Sequence, residues 1–79
     1  MGHVFIRTVT FFYIGEMFAM DNEWFILKKA SWIVRTGHFS KFVRDGVIEE
    51  YEKYPEDLEV KIRKKSVIEM FEWKHGLPA

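Results

Sequence analysis

Apolar and charged residues alternate most regularly between residues 58 and 63. Leu58, Val60 and Ile62 are apolar, and each is followed by a charged residue. Successive side chains of a strand point to opposite faces of its sheet, so this period of two predicts a half-buried strand. A further strand is predicted over residues 66–73, after two lysines interrupt the pattern.

The N-terminal part of the chain favours strands over helices. Residues 4–20 are rich in β-branched and aromatic side chains and predict two strands, with a turn near residues 9–12. Gly15 lies inside the second of them, where a missing side chain usually marks a bend or a close backbone approach. The polar residues 21–23 then predict a reversal into a third strand over residues 24–34.

One short helix is predicted between the third strand and the strand that starts near residue 58. Residues 38–45 carry apolar side chains at helical spacing, and Gly46 is placed to end the helix. The apolar residues of this helix, which we expect to dock it on the sheet, are Phe39, Phe42 and Val43. Residues 47–57 are acidic and are predicted to form a connection to the next strand.

The composition is that of a small domain that we expect to associate with a partner or with other copies of itself. The chain has 79 residues, which predicts one domain over residues 1–79, and a domain of this size buries a small fraction of its surface. Aromatic residues make up 18% of the chain, so we expect some rings at an interface. Trp32 and Trp73 are predicted to pack in the core or at that interface.

Two absences indicate the compartment. The chain has no cysteine and therefore no disulfide framework, and no segment approaches the ~20 apolar residues that cross a bilayer. We therefore expect a cytoplasmic protein with no membrane partner.

The charges sum to zero but are segregated along the sequence. Twelve basic and twelve acidic residues cancel, which argues against a surface that binds polyanions throughout. Six acidic residues crowd residues 49–59, and four basic residues follow at 61–65. Any nucleic-acid site must therefore be local.

No catalytic or metal-binding pattern is present. The serines, which lie in no nucleophile-elbow context, are Ser31, Ser40 and Ser66. The histidines, which are scattered singly and lack the short spacing of metal ligands, are His3, His38 and His75. Because no glycine-rich phosphate loop occurs either, we expect a protein that is not an enzyme and needs no cofactor.

Two segments together resemble the two sequence motifs of the Sm-like family, which includes the Sm, Lsm and Hfq proteins. In the first motif, Gly15 matches a glycine of strand two, Asp21 matches an aspartate at the start of the next loop, and Leu27 matches an apolar anchor of strand three. Trp24 stands where the family often places a ring that stacks on a base.

The second motif of the family is Ile-Arg-Gly, followed by a small polar residue and apolar strand residues. Residues 62–68 keep this order except that Lys64 takes the glycine position and Lys65 replaces the usual Asp or Asn. The resemblance implies that Arg63 and Lys65 project toward the central pore of a ring, close to the loop that carries Asp21 and Trp24.

The resemblance implies a mainly β fold, namely a small five-stranded, strongly bent barrel with a short helix inserted between strands three and four. It is closest to a bacteriophage-type member, which would act in the cytoplasm of a bacterial host. Strands four and five would pair between neighbouring copies, giving a homo-oligomeric ring. The function that the resemblance implies is the binding of single-stranded RNA. The implied site residues are Asp21, Trp24, Arg63, Lys64 and Lys65.

An alternative function belongs to a different class. The zero net charge and the altered second motif favour a homo-oligomeric structural or protein-interaction module that does not bind nucleic acid. In that case the partners are proteins, Trp24 packs in a subunit interface, and the lysines keep a sheet edge soluble.

Overall fold

The computed structural model describes residues 2–78, which form six β-strands and one α-helix. A single 3-10 turn, Lys64–Ser66, separates the last two strands. In chain order the elements are β1 (His3–Thr8), β2 (Phe12–Met20), β3 (Trp24–Arg35), α1 (Phe39–Asp45), β4 (Glu50–Lys53), β5 (Val60–Arg63) and β6 (Val67–Glu72).

All strand pairs are antiparallel, and the long strand β3 is the centre of the sheet. The strands follow the order β4-β3-β2-β1-β6, and β5 also pairs with β3. β4 pairs with the second half of β3, from Ser31 onward, whereas β5 pairs with residues 24–27. In the described part of the chain, β4, β5 and β6 therefore each keep one edge that pairs with no strand.

The pairing of β2 with β3 is irregular around Gly15. The pairing of the two strands shifts on either side of Gly15, and a side chain at this glycine would lie 3.1 Å from Cα of Ala30. β3 bends at the same level, where Lys29 adopts a φ of 51°. The close approach that the sequence predicted at Gly15 is therefore confirmed.

Apolar side chains are buried on both faces of the sheet. Phe5 and Ile6 are neighbours on β1, point to opposite faces, and are both fully buried. The first cluster, which we call the helix-side core, contains Phe5, Ile14, Ile33, Phe42 and Trp73. The second cluster, which we call the opposite core, contains Ile6, Met17, Leu27, Ala30 and Ile62.

The predicted helix is confirmed, and Phe42 is its anchor. Gly46 ends α1 in the left-handed conformation, with its N–H donating to the carbonyl of Phe42. Phe42 is fully buried, whereas Phe39 and Val43 remain 41% and 37% exposed. The helix is thus docked mainly by one of its three apolar side chains. Trp73 lies in the same core, as predicted, and Trp32 is half-buried.

The sheet has six strands where the sequence predicted five. The additional strand is β4, which lies in the acidic segment that was predicted to be a connection. Its backbone pairs with β3, and the side chain of Glu50 accepts a hydrogen bond of 2.6 Å from Arg35. The mainly β fold with a helix after the third strand is confirmed. Within residues 2–78 no helix is both long and apolar enough to cross a membrane.

Candidate nucleic-acid interface

Asp21 organises the loop between β2 and β3. Its Oδ1 accepts hydrogen bonds from the backbone N–H groups of Glu23 and Trp24, both at 2.8 Å. These two bonds lower the pKa of Asp21 below its ordinary value, and nearby Lys64 adds a smaller effect in the same direction. An ionised Asp21 therefore holds the loop in the shape that presents Trp24 at the start of β3.

The turn between β5 and β6 meets this loop directly. The backbone N–H of Lys64 donates a hydrogen bond of 2.8 Å to the carbonyl of Glu23. The chain here forms a 3-10 turn, so Lys64 adopts ordinary negative-φ backbone and no glycine is required. The two segments that carry the family resemblance, although distant in sequence, are thus joined by a hydrogen bond.

Two cations lie over two aromatic rings at this junction. Trp24 pairs with Arg63 across β3 and β5, and the guanidinium carbon lies 4.8 Å from the centre of the ring. Next to them, Nζ of Lys64 lies 5.1 Å from the ring centre of Phe25. Arg63 also approaches Glu23, with 3.9 Å between Nη1 and Oε2. Each of these two neighbouring rings of β3 is therefore paired with a basic side chain.

Two clefts flank the 3-10 turn. The smaller one, of about 120 Å³, lies between the turn and the β2–β3 loop and contains Arg63, Lys64 and Lys65 among its lining residues. The larger one, of about 400 Å³, runs along β5 to the turn between β1 and β2. Its charged lining residues are all basic, namely Lys61, Arg63 and Lys65.

The structure gathers all five predicted site residues in one region. Asp21 and Trp24 lie in or beside the β2–β3 loop, and Arg63 and Lys64 contact that loop from β5 and the 3-10 turn. Lys65 lines both clefts. It is exposed and completes the basic surface.

The sequence analysis missed two residues of the larger cleft, Lys61 and Tyr13. Lys61 was detectable, because the period of two puts it on the same face of β5 as Arg63. Nothing in the sequence around Tyr13 predicts its place in the cleft, because the cleft is formed by the folding of β2 close to β5. Burial raises the pKa of Tyr13, and Tyr54 adds to the rise, so the hydroxyl stays protonated at neutral pH.

The other chemical candidates remain dispersed. In residues 2–78 no three His, Asp or Glu side chains are close enough together to hold a metal ion. His75 instead donates a hydrogen bond of 2.9 Å from Nε2 to the carbonyl of Val43. No protein-family model, curated protein or solved structure matches this chain. The function is therefore inferred from the residues of the site themselves.

Proposed function

We propose that this chain is an Sm-like protein whose copies form a ring and bind single-stranded RNA at the surface around Trp24 and Arg63. The observation that carries the proposal is the junction of the β2–β3 loop with the β5–β6 turn through the Lys64 to Glu23 hydrogen bond. The junction supports the proposal because the two motifs of the family work together only when they lie side by side.

The chemistry of this surface fits a single strand. Proteins bind single-stranded nucleic acid with cations that track the phosphates and rings on which bases stack. Trp24 supplies a half-buried ring, and the basic residues Arg63, Lys64 and Lys65 lie in consecutive positions beside it. One such site is shallow and weak, but copies arranged around a ring act on one RNA and raise its effective affinity.

The unpaired edges of β5 and β6 support the ring. β5 carries the basic residues Lys61 and Arg63, whereas β6 carries Glu69 and Glu72. The apolar side chain of Ile68 on β6 is 57% exposed. Pairing β5 of one copy with β6 of the next brings opposite charges together and covers both edges, and repeating the contact closes a ring.

A binding experiment tests the RNA site. We expect uridine-rich or adenine-rich RNA to bind saturably in a fluorescence-anisotropy titration, with affinity that falls as salt rises. The double variant Lys64→Ala, Lys65→Ala should abolish binding while the native mass of the assembly stays unchanged.

The matched control removes two lysines elsewhere. Lys41 on α1 and Lys53 on β4 are exposed and lie outside both clefts of the site. The variant Lys41→Ala, Lys53→Ala changes the net charge equally, so it should retain most of the affinity. Equal loss in the two double variants would mean that binding follows total charge and would contradict a site at the 3-10 turn.

One observation favours the alternative, a homo-oligomeric interaction module that does not bind RNA. One face of the Trp24 ring is covered by the guanidinium of Arg63, which also lies near the carboxylate of Glu23. The Trp24 ring and the Arg63 guanidinium, which would bind RNA, thus already have partners inside the chain. Under this alternative the ring forms, neither RNA binds at low salt, and the Lys64→Ala, Lys65→Ala variant behaves as the unmodified chain does.

A further inference from the structure

A groove of about 420 Å³ lies between α1 and the end of β6. Its apolar part is formed by Val43 of the helix together with Phe71 and Trp73. Trp73 is buried and belongs to the helix-side core, whereas Val43 is 37% exposed in the groove. The groove is therefore a concave extension of that core which the described chain leaves open.

The rim of the groove is charged. Its polar lining residues are Arg44, Glu72, Lys74 and His75. The guanidinium of Arg44 binds Asp45 at 3.1 Å. Lys74 is exposed and takes part in no ion pair within residues 2–78. The groove thus offers an ammonium group beside an apolar floor.

An acidic segment precedes β5 in the chain. Residues 56–59 have the sequence Glu-Asp-Leu-Glu, and all four are exposed. In the described part of the chain none of their carboxylates forms an ion pair, and Leu58 is 45% exposed. This segment therefore offers unpaired carboxylates to the ammonium group of Lys74 and an exposed apolar side chain to the apolar floor of the groove.

We propose that the groove receives the acidic segment 56–59 of a second copy of this chain. The proposal rests on the proposed assembly, in which β5 of one copy pairs with β6 of the next. In an antiparallel pair the start of one strand lies beside the end of the other. Residues 56–59 lead into β5 and Lys74 follows β6, so the pairing brings the acidic segment to the groove.

The faces of the sheet agree with this arrangement. Val60 and Ile62 pack with the opposite core, so Lys61 points to the helix side by the alternation of the strand. The groove lies on the helix side as well, because Trp73 packs against Phe42 of α1. A sheet that continues from one copy into the next keeps its two faces, so the helix-side face of β5 continues into the face on which the groove opens.

Charge reversal tests this contact. We expect Glu59→Lys and Lys74→Glu each to raise the concentration at which the assembly dissociates by roughly tenfold, because each places like charges at every interface. Native mass spectrometry or light scattering over a dilution series measures this concentration. The combined variant restores opposite charges in reversed order and should recover most of the assembly.

Two control variants make equal changes of charge outside the groove. Glu52→Lys on β4 and Lys41→Glu on α1 alter exposed residues that do not line it, so they should leave the dissociation concentration within about twofold. If the unmodified chain assembles while Glu59→Lys and Lys74→Glu dissociate at the same concentration as the controls, that result would overturn the groove contact but not the ring. An unmodified chain that stays monomeric would overturn the ring itself and the groove contact with it.

Discussion

Asp21 fixes the β2–β3 loop through two backbone hydrogen bonds to one carboxylate oxygen. Because these bonds favour the ionised form, the pKa of Asp21 in the folded chain lies below its value in the unfolded chain. The carboxylate therefore stabilises the fold above the unfolded pKa. This contribution is lost as the pH falls through the lower, folded pKa.

Replacing Asp21 should lower the thermal stability of the chain by an amount that depends on pH. We expect Asp21→Ala to lower the midpoint of thermal unfolding at pH 7, and the difference from the unmodified chain to shrink as the pH falls below about 4. Circular dichroism melts over a pH series measure it. Asp21→Asn, which keeps an acceptor oxygen but no charge, is the matched variant. If Asp21→Ala lowers the midpoint of thermal unfolding by the same amount at every pH, the role of the ionised form is contradicted.

Gly15 occupies the closest approach between β2 and β3. A Cβ at this position would lie 3.1 Å from Cα and 3.2 Å from Cβ of Ala30, and 3.2 Å from the carbonyl oxygen of Lys28. Two of these atoms belong to the backbone of a paired strand, so they cannot rotate away as the end of a side chain does. The constraint at Gly15 is therefore steric, since its φ is not positive.

We expect Gly15→Ala to destabilise the chain by about 1–3 kcal/mol, as overpacking of a filled interior does. Urea unfolding followed by tryptophan fluorescence measures the change. Gly2→Ala is the control, because a Cβ at Gly2 meets nothing within 4 Å. Adding Ala30→Gly should recover part of the loss by removing one of the three contacts. A Gly15→Ala variant as stable as the control would show that the strands separate easily.

At the scale of elements, α1 depends on one side chain. Phe42 is fully buried among aromatic rings, with its centroid 5.5 Å from that of Phe5 and 4.8 Å from that of Trp73. A helix of seven residues has little stability of its own. Its position on the sheet therefore comes from this contact and from the Gly46 cap.

Phe42→Ala should cost about 3–5 kcal/mol, the range for deleting a buried phenylalanine. Stabilities of small domains are of the order of 5–15 kcal/mol, so the variant should unfold at far lower urea concentration. Phe18→Ala is the matched control, because Phe18 is 47% exposed on β2. Similar losses in the two variants would mean that the helix-side core does not hold the fold.

Local patterns were enough to predict the elements that depend on their own residues. The alternation around Ile62 predicted β5, and Gly46 predicted the end of α1. β4 was missed because its four residues are mostly charged, and they form a strand through backbone pairing with β3. The residues of the site were predicted by resemblance, whereas the stacking of Arg63 on Trp24 depends on the pairing of two distant strands.

At the scale of the whole molecule, stability and assembly should be linked. Eleven large apolar side chains of the described chain are exposed, including Ile68 and Met70 on β6, whose outer edge pairs with no strand. If the proposed ring covers some of them, assembly stabilises the folded chain by mass action.

We therefore expect the midpoint of thermal unfolding to rise by several degrees between low and high micromolar protein, measured by differential scanning fluorimetry. The variant Ile68→Glu, Met70→Glu places charges on the exposed edge and should remove this dependence while leaving the fold intact. A midpoint that does not change with concentration in the unmodified chain would indicate a monomer.

The pairing of β1 with β6 also sets the order of events when the chain folds. β2 and β3 are joined by three residues and can form a hairpin locally, whereas Val4 meets Glu72 only after nearly the whole chain has been brought together. Contacts between residues this far apart in sequence require a large loop to close and form slowly. During synthesis, the edge of β1 that pairs with β6 therefore stays unpaired until β6 has been made. The helix-side core is completed only when Trp73 has left the ribosome.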